Sequence, residues 1–117
     1  MSVTFTTSNP KALLKAFDER ITQTESKGKI TTWEKLADGV HYTHKATEWR
    51  YQAFFKPSVE NGKLIFHIIK PQDSDISTVA YAYYHGHLTE TFLNHFDSQF
   101  SDGVASALPD KNDVVSS

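Results

Sequence analysis

The sequence predicts an α+β fold: an antiparallel meander sheet of about five strands, with an N-terminal and a C-terminal helix packed on one face. The predicted order is α-β-β-β-β-β-α. Three observations carry this. An apolar stripe at helical spacing follows "NPKALLKAF". Two Gly-containing hairpin signals, Asp38-Gly39 and Asn61-Gly62, lie between alternating strands. A second stripe of helical period closes the ordered part of the chain. A chain of 117 residues fits one domain with a single core. Residues 1–100 are expected to form that domain, and 101–117, "SDGVASALPDKNDVVSS", to be a largely disordered tail.

Each element has its own justification. Asn9 is a good N-cap and Pro10 suits the first helical position, where a missing N–H costs nothing. Leu13, Leu14, Phe17 and Ile21 fall on one helical face, and Gly28 behind Lys27 is a natural stop, so a helix is expected over 10–27. Asp-Gly and Asn-Gly tolerate the positive φ of a type I′ turn. The first joins strands expected at 30–37 and 40–44, the second strands at 49–58 and 63–70. A fifth strand is expected at 76–84 and a second helix at 87–99, with Leu88, Phe92, Leu93 and Phe96 on one face. Val3 and Phe5 suggest a short additional edge strand.

The Asn61-Gly62 turn fixes register. Phe55 then faces Ile68, and Lys56 faces His67. One face carries Trp49, Tyr51, Ala53, Phe55, Leu64, Phe66 and Ile68 and belongs under the helices. The other carries Arg50, Gln52, Phe54, Lys56, Lys63, Ile65, His67 and Ile69. Small residues allow close helix approach, so Ala80 and Ala82 are assigned inward. That leaves Tyr81 and Tyr83 on the open side beside Phe54, Ile65, His67 and Ile69, with His85 at the edge. An aromatic patch on the solvent side of a sheet suits an interface or ligand surface. These seven residues form the expected binding surface, used for self-association or docking on another protein.

The stretch "YAYYHGHLTETFLNHF" raises a second option, because it holds three of the six histidines and Glu90. His85, His87, Glu90 and His95 are the weaker alternative, a small-ligand or metal site at the strand-to-helix junction. No H-E-x-x-H, G-x-S-x-G or Gly-rich phosphate signature occurs. With no cysteine, thiolate metal sites and cysteine nucleophiles are excluded. No cofactor is expected, and the leaning is toward a non-catalytic protein. A net charge of -2 argues against nucleic acid, although "WRYQAFFK" interleaves aromatic and basic residues. Neither a signal peptide nor a membrane span is expected, so the expected location is cytoplasmic.

Overall fold

The computed structural model describes residues 2–109 and 112–115. Strand β1 (Ser2–Thr6) leads into helix α1 (Pro10–Thr22). Strands β2 (Trp33–Lys35), β3 (Tyr42–His44), β4 (Phe54–Glu60) and β5 (Lys63–Ile69) follow. Helix α2 (Thr78–Phe96) and strand β6 (Asp102–Ala105) complete the order. The strands form one antiparallel sheet, β2-β3-β4-β5-β1-β6. The α+β class is as the sequence predicts. No helix among the described residues is long and apolar enough to cross a membrane.

The hairpin registers are as the turn chemistry requires. Glu60 pairs Lys63, leaving Asn61-Gly62 as a two-residue turn with Gly62 at φ 79°; Phe55 pairs Ile68 and Lys56 pairs His67. Lys35 pairs Tyr42 around the Asp38-Gly39 turn, with Gly39 at φ 73°. Pro57 is tolerated inside β4 because β3 pairs with β4 only at Tyr42–Phe55.

Both helices cover the face that carries Phe55, Phe66 and Ile68. Phe17 of α1 packs against Tyr42 and Phe66, and Phe92 of α2 against Phe5 and Phe66. Phe66 is the hub: its ring also meets Phe5, Tyr42 and Phe55 at centroid distances of 6.2, 6.0 and 6.0 Å. Beside this core, the Tyr42 hydroxyl donates to Asp18 of α1. Burial raises the Tyr42 pKa first, and the Asp18 bond raises it further.

Several expectations are corrected. The fifth strand expected at 76–84 does not exist, since Thr78 to Tyr84 form the first turns of α2. Ser77 caps the helix by accepting from the Ala80 amide at 3.1 Å. The buried set Ala80, Tyr81, Tyr84, His85, Leu88, Phe92 and Phe96 recurs at helical spacing, which outweighs the apparent alternation. Helix α1 ends at Thr22, five residues early. There the Gln23 side-chain amide donates to the Glu25 and Lys27 carbonyls, each at 2.9 Å, and folds the segment back. The strand expected at 49–58 begins at Phe54. Strand β1 is no edge: it lies between β5 and β6, with Val3 and Phe5 fully buried.

Of the segment expected to be a disordered tail, 101–117, residues 110, 111, 116 and 117 lie outside the described residues, and parts of the rest contribute sheet. Asp102–Ala105 pair with β1 as β6. Further on, Val114 bridges Ile69 in parallel, and the Asp113 carboxylate accepts from the Ile68 amide at 3.0 Å. This segment takes the β5 edge just past the point where β1 begins at Ser2.

Gly86 lies inside α2, exposed, with nothing within 4 Å of a Cβ built there. Gly86→Ala is therefore expected to stabilise the fold by about 0.5–1 kcal/mol, because glycine loses more backbone freedom in a helix. Urea unfolding checks this. A loss of stability would mean that the helical assignment across 78–96 is wrong.

Candidate functional site

The structure divides the seven expected surface residues between two layers. Phe54, Ile65, His67 and Ile69 share the helix-free face of β4 and β5. Ile65 and His67 are nevertheless buried. Asp113 lies 3.4 Å from the His67 ring, and Asn112 and Val114 line a groove of about 450 Å³ with Lys56, Ser58, His67 and Ile69. Tyr81, Tyr83 and His85 stand on α2, across the sheet from that face. The single open patch drawn from the sequence thus does not form, because the strand that was to carry its second half is a helix. Tyr81 and His85 are buried; the His85 Nδ1–H donates to the Tyr81 carbonyl at 2.6 Å and its ring packs on Phe55 at 5.3 Å.

The metal alternative fares no better geometrically. Two helical residues separated by one position point about 200° apart. His85 accordingly faces Phe55, while His87 faces His44. His87 and Glu90 approach to 4.0 Å. His95 lies at the far end of α2, near Phe96, with its pKa lowered by burial and then by the Arg20 charge. No group of three or more metal-ligating side chains converges among the described residues.

What the structure does assemble is a compact turn, residues 46–52, between β3 and β4. The Trp49 and Arg50 amides both donate to the Ala46 carbonyl, at 3.0 and 2.8 Å, and the Gln52 amide donates to Trp49 at 3.1 Å. The turn is anchored from beneath by Thr43 and Tyr84. Thr43 Oγ1 accepts from the Tyr51 amide at 3.0 Å and donates to the Ala53 carbonyl at 3.0 Å; the Tyr84 hydroxyl donates to the Trp49 carbonyl. Both anchoring side chains are fully buried.

The turn presents three side chains. Trp49 stacks on Tyr83 with centroids 4.2 Å apart and planes at 11°. Arg50 forms a two-pronged bond to Glu34 at 2.7 and 2.9 Å, which raises its pKa, and its guanidinium lies 4.6 Å from the centre of the Tyr51 ring. Tyr51 is 48% exposed and sits at φ 63°, where no other non-glycine residue among those described is found. Its ring lies 6.2 Å from Phe54. Phe54 and Tyr83, expected on one face, are therefore linked by this turn, which touches both.

The sequence predicts Trp49 and Tyr51 in a strand, under the helices. "ATEWRYQ" contains no glycine, proline or asparagine, so nothing in it signals a turn with a positive φ. The one legible signal was the density of Trp, Arg and Tyr itself.

Behind the turn lies a histidine relay. The Ala46 amide donates to His44 Nδ1 at 3.0 Å. Neutral His44 must then carry its proton on Nε2, which donates to His87 Nδ1 at 2.5 Å. The rings stack with centroids 4.6 Å apart. The arrangement holds His44 neutral: burial first, and the adjacent His87 charge second, lower its pKa to about 4. His44 is 1% exposed, so it serves as a fixed support for His87 and the turn rather than as a surface acid or base.

No protein-family profile, no curated protein and no solved structure matches the chain.

The His44 geometry makes stability depend on pH. Because the folded value lies below the ordinary 6.5, the unfolded chain binds the proton more readily. Stability is then complete above pH 6.5 and falls as the pH drops toward 4, by roughly 3 kcal/mol. His44→Asn, whose amide oxygen replaces Nδ1 as acceptor, should flatten this fall even if the variant is less stable overall. Urea unfolding of both proteins from pH 7 to 4 checks it; equal slopes would refute the assignment.

Proposed function

We propose that this chain is a non-catalytic protein-binding domain that engages its partner, another protein or a second copy of itself, through the 46–52 turn. The contact surface is Trp49, Arg50 and Tyr51, flanked by Phe54 and Tyr83. Trp, Tyr and Arg are the residue types that dominate binding energy in protein interfaces.

The observation that carries this reading is Tyr51. A bulky residue in the left-handed region costs of order 1–3 kcal/mol. Here that cost holds an aromatic ring out in solvent, where it contributes little to the core. Strain at a surface aromatic that the surrounding hydrogen bonds over-determine is characteristic of a preorganised contact. The buried bonds from Thr43 and Tyr84 fix the turn before any partner arrives, so little conformational freedom remains to be lost on binding.

Tyr51→Gly separates the two roles. Glycine accepts φ 63° without strain, so the fold is expected to keep its stability within about 1 kcal/mol. Binding should weaken at least about tenfold, as expected for loss of a central aromatic anchor. A photo-crosslinking side chain at position 51 identifies the partner in cells, and calorimetry with that purified partner compares wild type with Tyr51→Gly and Trp49→Ala. If the captured adduct is the chain itself, light scattering across a concentration series replaces calorimetry. Equal affinity in all three proteins would sink the proposal.

A further inference from the structure

The two stacked histidines behind the turn satisfy their donors and acceptors in one protonation state. The Ala46 amide occupies His44 Nδ1, so the proton of neutral His44 sits on Nε2 and is donated to His87 Nδ1 at 2.5 Å. His87 Nδ1 therefore accepts, and the proton of neutral His87 sits on Nε2, 4.0 Å from a Glu90 carboxylate oxygen. One further proton has no place without breaking a bond. On His87 Nδ1 it meets the His44 N–H. If His44 moves its own proton to Nδ1 to make room, that N–H opposes the Ala46 amide.

The pair stands where such a break has a structural consequence. His44 is the last residue of β3, and Ala46 opens the turn, with its carbonyl accepting from the Trp49 and Arg50 amides. His44 is 1% exposed, whereas the His87 side chain is 20% exposed, so solvent reaches the pair through His87. Trp33 of β2 and Tyr83 of α2 pack on both rings, and Tyr84 packs on His44. On the outer side the Glu90 carboxylate favours a charged His87.

We propose that the His44–His87 pair is a proton-operated latch on the 46–52 turn, closed when both rings are neutral and opened when one proton enters through His87. Opening frees the Ala46 end of the turn, and the Trp49, Arg50 and Tyr51 side chains lose their fixed arrangement. The closed state binds fewer protons than the open one. It therefore dominates above the ordinary histidine value of 6.5 and gives way as the pH falls toward 4, where buried His44 itself titrates. That acid also weakens partner binding rests on the reading of the turn as the contact surface; the latch itself does not.

The test is NMR of the full chain without any partner, titrated from about pH 7.5 to 5. At the upper end the ring-nitrogen signals should place the His44 proton on Nε2. Through the titration, backbone order parameters over 46–52 should fall from near 0.85 to below about 0.6, while β4 and β5 stay rigid. His87→Asn keeps an acceptor oxygen where Nδ1 stood and takes up no proton, so its turn should stay ordered throughout. Glu90→Gln, at an exposed position, should lower the midpoint of release by about 0.2–0.5 pH unit. A His44 proton on Nδ1, a turn that stays rigid while the rings titrate, or an unchanged acid response in His87→Asn would overturn the proposal. Because no partner enters these measurements, their outcome is separate from that of the Tyr51→Gly affinity comparison.

Discussion

The aromatic packing around Phe66 is the constraint on which the rest depends. Phe66 stands on β5, which pairs with β4 on one side and β1 on the other. Its ring meets aromatic partners from β1, α1, β3, β4 and α2. Five separate elements thus share one residue. Large aromatic side chains bury much area each and prefer edge-to-face contact, and four of these five contacts have interplanar angles above 75°. This packing fixes the height of both helices above the sheet. It thereby fixes where α2 presents Tyr83, Tyr84 and His87 to the turn at 46–52.

The turn is the point at which core order becomes surface order. Tyr84 is buried against Trp33 and Phe55, yet its hydroxyl holds the Trp49 carbonyl. Tyr83, the next residue back, faces outward and stacks on the Trp49 ring. Two consecutive helical residues therefore clamp one turn residue by backbone and by ring. Thr43 fastens the Tyr51 amide from the strand side. Such a turn is a rigid carrier of side chains, and this separates it from the exposed, loosely held loops that most surfaces offer.

Legibility in the sequence followed the locality of the signal. The Asn61-Gly62 register was readable because a two-residue turn fixes every pair beyond it, and Phe55–Ile68 follows directly. Helix α1 was readable from Asn9-Pro10 and its stripe. The start of α2 was not, because Thr78 to Tyr84 is rich in β-branched and aromatic residues that also suit a strand. The deciding facts were the Ser77 cap and the burial of Tyr81 with Tyr84 and His85, which only packing reveals. That one misreading split the expected surface: Tyr81 and His85 moved into the helix layer, while Phe54, Ile65, His67 and Ile69 stayed on the far side of the sheet. β1 and β6 were hard to place because their pairings span almost the whole chain, with Val3 opposite Ala105. The left-handed Tyr51 had no sequence mark at all, since its conformation is imposed by Thr43, Ala46 and Tyr84 from outside the residue.

A preorganised contact surface requires that the turn be already fixed in the free protein. Amide hydrogen exchange at Tyr51 tests it most directly, because that N–H is bonded to a side-chain oxygen that is itself buried, and lies in no regular strand or helix. Protection of the Tyr51 amide is expected to approach that of β4 and β5, with opening coupled to global unfolding. Exchange at the rate of an unstructured peptide would mean that the turn is mobile in solution, and the preorganised aromatic surface would have no physical basis.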